Sequence, residues 1–451
     1  MEHGGTLVWF RQDLRLRDNP ALHAASARGE AVVPVYVWSP QEEGKWPPGG
    51  AQRWWLHESL RSLDRGLRDC GSQLTLAVGP ALEALLSIAV ATGARAVYWN
   101  DRHEPAAKAA SMMVEAGLRA AGIETRRFNS ALLAEPGRVL SGQGQPYRVY
   151  SAFQRALWNL DDWGEAVRAP ACLKPPSAWP PSVSLDAFGL LPQQTWYRNL
   201  AAQWRPGEPG ALANLEAFVE KALARYPHNR EGPALAGTSR LSPHLHFGEL
   251  GPRQVWSALA GSERRSVFAG ELAWREFAHH LLHFFPHSTD EPLRGEFARF
   301  PWRRDRMKLR AWKRGQTGVP LVDAGMRELW ATGWMHNRVR MITASFLVKN
   351  LLIPWQDGAR WFWDTLVDAD LAANTLNWQW VAGCGVDAAP YFRIFNPLTQ
   401  AERFDPDGAY VGRWVPECLD ESAGNYPEAI VNLRESRLAA LAAFGALRAQ
   451  G

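Results

Sequence analysis

The chain has 451 residues, 46% of them hydrophobic, which is enough apolar material for about two or three cores at ordinary domain sizes. No run approaches the roughly 18 uncharged apolar residues of a membrane span, and MEHGGTLVWF has charge and a strand where a signal peptide needs an apolar core, so a cytoplasmic protein is expected. A net charge of +4 permits a nucleic-acid partner without demanding one, and Cys70, Cys172, Cys384 and Cys418 lack metal-ligand spacing, so they are expected to be buried thiols.

Segments at 6–10 (TLVWF), 31–38 (AVVPVYVW), 73–78 (QLTLAV), 94–99 (ARAVYW) and 124–129 (ETRRFN), apolar in all but the last, read as strands and alternate with amphipathic segments such as WWLHESLRSLDRGLR. This predicts an α/β domain over 1–130, a doubly wound parallel sheet whose ligands lie beyond the strand C-termini. Arg11, Gln12, Asp13, Arg15 and Arg17 follow the first strand where a GxGxxG turn would stand, which weighs against a dehydrogenase-type nucleotide site. Prolines in APACLKPPSAWPPS rule out a continuous helix and make 131–195 a connector. From 196 to 451 apolar residues recur at three- and four-residue spacing, which predicts a larger all-α domain.

Several segments carry side chains that core packing does not require. Thr238, Ser239, Arg240 and Ser242 precede a helix, and hydroxyls with free N–H groups at a helix N-terminus suit phosphate; an N-cap with a surface arginine accounts equally well for an isolated TSR. In ELAWREF, Glu271 and Trp274 lie one turn apart beside Arg275, a pattern that a solvated helix edge also gives. In GWMHNRVRMITASF, Asn337 and Met341 share a face flanked by Arg338 and Arg340, and in DADLAANTLNWQW, Asn374 and Trp378 share one while Trp380 is turned roughly 200° away. Residues 299–314 hold eight Arg/Lys against one acid, a local +7 that is usually a solvated face. Tryptophan is overrepresented at 23 residues, and core filling covers most of them.

Together with VWFRQDLRLRDNPAL at the start and FNPLTQAERFDPDGAYVGRWVPE near the end, these segments resemble the DNA photolyase/cryptochrome flavoproteins over essentially the whole chain. The resemblance implies an antenna-binding α/β domain and a helical domain that holds FAD. It implies cofactor contacts from Tyr226, Thr238, Ser239, Arg240, Leu241, Ser242, Arg275, Asn337, Arg340, Asp368, Asp370 and Asn374. It places UV-damaged DNA against Arg230, Glu271, Trp274, Asn337, Arg338, Met341 and Trp380, with further phosphate contacts along 299–314, and makes Trp378, Trp355 and Trp302 a chain of indoles passing electrons inward.

The implied activity is light-driven splitting of cyclobutane pyrimidine dimers, with a cryptochrome-like blue-light receptor as the alternative. Asn337 favours the cyclobutane lesion, since relatives that repair the other major pyrimidine photoproduct carry histidine there. Photolyases have Asn where Asn374 stands and plant cryptochromes have Asp; Trp380 points the same way, because plant cryptochromes commonly carry Tyr there. The stretch 37–68 looks like plant cryptochromes and their sister group, the class III photolyases. Ala106 and Ala107 replace the Asn-Glu pair of the enterobacterial folate site, so an antenna methenyltetrahydrofolate is expected at Trp38 and Glu43 instead. The chain is expected to act as a monomer without an obligate protein partner.

Overall fold

A computed structural model describes residues 5–160, 163–259, 261, 263, 266–387, 392–418 and 426–449. Strands β1 (Thr6–Phe10), β2 (Val32–Trp38), β3 (Thr75–Val78), β4 (Ala96–Asn100) and β5 (Glu124–Phe128) form one parallel sheet in the order β3-β2-β1-β4-β5. The alternation of strands and helices predicts this doubly wound arrangement. Central β1 and β2 are buried on both faces, which is why TLVWF and VVPVYVW read as unbroken apolar runs, whereas ETRRF at the β5 edge is largely exposed. The order reverses at β1, so the crevice for a ligand opens beyond the C-termini of β1, β2 and β4.

Helix α1 (Gly50–Asp69) joins this domain to the rest, and α2 (Tyr150–Trp158) interrupts the segment that its prolines mark as a plain connector. The C-terminal part carries α3 (Val267–Phe284), α4 (Arg306–Arg314), α5 (Pro320–Thr332), α6 (Asn337–Ser345), α7 (Trp355–Thr365) and α8 (Leu371–Ala382) around a large apolar core. Helix α8 is buried on nearly all sides, between α3 and α7. The α1–α7 seam is close because Gly49 has no side chain: a Cβ there would lie 2.4 Å from the Trp363 carbonyl oxygen, and Gln52 and Gly50 donate across it to Trp363 and Asp364.

Of the four cysteines only Cys384 is buried; Cys172 in the connector is exposed, and Cys70, at the C-terminal cap of α1, and Cys418 are half-buried, because these segments run over the surface. Among the described residues, no helix is long and apolar enough to cross a membrane and no cluster of metal-ligating groups occurs.

Candidate active site

The first polar cluster starts at the N-terminus of α8. Asp370 caps that helix by accepting the Ala373 N–H at 2.8 Å, and its other oxygen faces His279 Nε2 at 3.5 Å and His246 Nδ1 at 3.8 Å. Asn374, one turn on, is buried and donates Nδ2 to the Ala359 carbonyl at 3.1 Å, which locks it against α7.

Two residues before the cap, Asp368 draws together three distant segments: its Oδ2 accepts from Arg340 Nη2 at 2.9 Å and from Ser242 Oγ at 2.7 Å. Arg340 is aimed by a second bond, from Nε to the Met335 carbonyl at 2.7 Å. Ser242 therefore spends its hydroxyl on a carboxylate, and the helix it opens, Ser242–His246, is barely more than one turn. Arg240 stands in the left-handed region at φ 52° and lays its guanidinium 4.0 Å from the Trp204 ring. Asp368 Oδ1 and Arg240 Nε are both buried without a partner in the protein. Buried polar atoms are almost always satisfied, so these two, with Thr238 and Ser239 next to Arg240 in the chain, fit a large polar cofactor such as FAD.

A second group of side chains lies along α3 and the start of α6. Arg230 Nη1 donates to Glu271 at 2.7 Å and its guanidinium covers the buried Tyr226 ring at 5.2 Å. Trp274 is stacked face to face on Tyr150, with ring centroids 3.6 Å apart and planes 5° apart, and the Tyr150 hydroxyl is fixed on the Gly270 carbonyl at 2.7 Å. Sequence reasoning misses Tyr150 because it belongs to the connector.

His336 caps α6 by accepting the Arg338 N–H at 3.2 Å, and burial pushes its pKa down to about 4, so the ring stays neutral and able to accept. That start leaves Asn337 exposed on the first turn, with Met341 one turn below it. Arg338 Nη1 reaches the Met341 sulfur at 3.9 Å, and the same guanidinium bonds to Glu231, another residue that reading missed. Trp380 Nε1 donates to the Asp387 carbonyl at 3.2 Å, on the side of α8 away from Trp378.

Arg275 stands one turn before His279 on α3, and its charge is felt at Asp370. Its Nη1 donates to the Ala131 carbonyl at 2.6 Å, so it ties α3 to the connector, as does its neighbour Glu276, whose carboxyl burial pushes up to about 7 while it accepts from Leu133 and Ala134. In the basic run, Trp312 of α4 is buried against Trp378 at 6.3 Å, which packs α4 beside the Trp378 face of α8.

Trp378 lies on Gly358, where a Cβ would come within 2.1 Å of the indole, and contacts Phe362 at 5.0 Å. Trp355, one turn before Gly358, is equally buried, and Trp302 is half-exposed beside Arg303, which donates to the Leu352 carbonyl just ahead of α7. Burial thus decreases from Trp378 and Trp355 to Trp302.

In the α/β domain, Trp38 at the end of β2 and Glu43 in the following turn line one crevice with Trp9, Arg11 and Arg102. Arg102 grips Glu43 with two bonds of 2.5 and 2.9 Å and also meets Glu104 at 3.3 Å; Trp38 stacks on Phe188 at 6.1 Å. Ala107 lines the same crevice, which lies beyond the carboxyl ends of the central strands, where a doubly wound fold binds ligands.

Comparison with known proteins agrees along the whole chain. Residues 6–171 match the family described as DNA photolyase, and residues 268–423 match the FAD binding domain of DNA photolyase. The chain is 45% identical to a deoxyribodipyrimidine photo-lyase of Agrobacterium fabrum over 98% of both sequences. It is 38% identical to cryptochrome-1 of Arabidopsis thaliana, over 92% of this chain and 63% of that longer one. Its fold superposes on a bacterial class III photolyase from Agrobacterium tumefaciens with a TM-score of 0.94, at 44% identity, covering 99% of this chain and 98% of that one. The chain belongs to the DNA photolyase family.

Proposed function

We propose that this protein is a light-driven deoxyribodipyrimidine photo-lyase that splits cyclobutane pyrimidine dimers in UV-damaged DNA. One observation carries the reading: identity with the Agrobacterium fabrum photo-lyase runs end to end, and it includes both the α/β and the FAD-binding parts. When bound, reduced FAD supplies the light-excited electron that opens the cyclobutane ring and takes it back afterwards.

The residues of the chain divide the remaining work. Arg340 and Asp368, with Ser242, form a fixed charged surround for the cofactor ring, and the cationic member stabilises negative charge held there. Arg240, Thr238, Ser239, Leu241 and Tyr226 supply the wall for the rest of the cofactor, while Asp370 and Asn374 hold the α8 end of the cavity. Glu271 offers a carboxylate oxygen to a base, Trp274, backed by Tyr150, offers a rigid flat face, and Asn337, Met341 and Trp380 complete the recess. The dimer must leave the DNA stack to reach them, a cost of a few kcal/mol that a damaged, poorly stacked pair lowers; photolyases are a standard example of this extrusion. The crevice at Trp38 and Glu43 takes the antenna, which the class III likeness makes methenyltetrahydrofolate. Nothing in this division asks for a second subunit.

A cryptochrome-like receptor is the second reading, favoured by the match to cryptochrome-1. Asn374 and Trp380 oppose it. The deciding assay is illumination of dimer-containing oligothymidylate with the flavin-loaded, reduced protein: dimers should disappear in blue light and persist in the dark, and a reduced protein that leaves them intact under illumination would end the repair reading. Within that assay, Glu271→Ala should lower affinity for the dimer by roughly ten- to hundredfold, the worth of about 1.5–3 kcal/mol for a hydrogen bond to a charged group, with flavin still bound. Loss of flavin absorbance from this variant would reassign Glu271 to the cofactor.

A further inference from the structure

Glu231 joins two arginines that the repair reading places against DNA. Its carboxylate accepts from Arg338 through both Nε, at 2.9 Å, and Nη2, and it lies 3.6 Å from Arg230 Nε. Arg230 passes the connection on to Glu271. The result is one alternating chain, Glu271–Arg230–Glu231–Arg338, that ends on the Met341 sulfur and on the Phe404 ring, 4.5 Å from the Arg338 guanidinium. Every charged member is part-exposed, from 18% for Arg230 to 37% for Glu231, so a competing anion from solution can reach the pairs.

We propose that Glu231 determines specificity by standing in for DNA phosphate. Like a phosphate, a carboxylate presents oxygens to the guanidinium fork. Contacts between cations and phosphates supply essentially all non-specific DNA affinity, so an internal anion on two of the cations lowers that affinity without touching base recognition. One contact of a flipped dimer bears directly on this chain of charges: its base takes up Glu271, which breaks the inner bond of Arg230. Arg230 is then held only by its longer, 3.6 Å pair with Glu231 and exchanges it more readily for a flanking phosphate. Undamaged DNA reaches no such trigger and must displace Glu231 unaided. Glu231 is a positioning residue that acts through both arginines, and its role rests on the photo-lyase reading.

The test compares flavin-loaded wild type, Glu231→Gln and Glu231→Asp by fluorescence anisotropy, using a duplex with one thymine dimer and its undamaged twin over a range of salt. Glu231→Gln should bind the undamaged duplex roughly three- to tenfold tighter at low salt, as expected for release of two part-exposed ion pairs. Its log–log salt slope should steepen by about 0.9 for each arginine that gains a phosphate. The dimer duplex should gain less, so the ratio of affinities falls, and Glu231→Asp, which keeps the charge, should hold that ratio nearer to the wild-type value. A ratio that stays constant or rises in Glu231→Gln, or an unchanged slope, overturns the proposal, because a carboxylate serving stability alone would shift melting temperature and leave discrimination untouched. Wild-type protein with no preference for the dimer duplex would instead overturn the repair reading itself.

Discussion

Phenylalanine in place of Trp378 is expected to abolish light-driven reduction of the bound flavin while leaving dimer repair intact once the flavin has been reduced chemically. Trp378 shares the Asn374 face of α8, the end of the indole series that the proposed function sets against the cofactor, and it packs on Phe362 at 5.0 Å, on Trp312 at 6.3 Å and on the Gly358 backbone one turn from Trp355. An indole gives up an electron far more readily than a phenyl ring does, so Phe removes the first donor shared by every outward route. It also removes volume, and filling the same slot with a smaller aromatic should cost about 1–2 kcal/mol, too little to unfold a core of this size. The measurement is flavin absorbance under blue light with an external reductant, followed by repair of oligothymidylate after dithionite. If photoreduction survives in the variant, the electron enters elsewhere; if repair fails after chemical reduction, the indole belongs to the repair step.

The parts of this picture legible in the sequence are those carried by one element at a time. Four of the five strands are announced by β-branched and aromatic runs, and observed bounds differ by a residue or two because strand ends fray, as at Gln73 and Leu74 before β3. Glu271 with Trp274, Asn337 with Met341, and Asn374 with Trp378 are legible for the same reason: helical spacing alone puts each pair on one face. Partnerships across long separations are not. Asp368 meets Ser242 across 126 positions, Arg338 meets Glu231 across 107, and Trp274 rests on a tyrosine of the connector. No local pattern encodes these contacts, because burial of whole helix faces decides which turns meet. The charge of 299–314 is legible, yet the face it occupies follows from where Trp312 is buried. Arg275 likewise has a partner that no spacing announces, since one of its nitrogens donates to a connector carbonyl.

Removal of the Arg340 side chain should be the most damaging single truncation in the cofactor cavity. The Asp368 side chain is only 3% exposed, and of its two oxygens one already lacks a partner while the other depends on Arg340 and Ser242. Arg340→Ala leaves a buried carboxylate with a single hydroxyl donor. Breaking one side of a buried ion pair costs about 3–5 kcal/mol, and the 23% exposure of Arg340 puts this case near the lower end, about 3 kcal/mol. That loss falls where the cofactor binds, so the variant should purify with little flavin and melt earlier than wild type. The double variant Arg340→Ala/Asp368→Asn separates charge from packing. An asparagine at 368 carries no charge to strand, and its amide can still accept from Ser242, so the double variant should recover a large part of the stability that Arg340→Ala loses. Non-additivity of this sign is the signature of a direct pair. Additive losses in melting temperature, or an Arg340→Ala protein that keeps its full flavin complement, would show that the cavity does not depend on this pair.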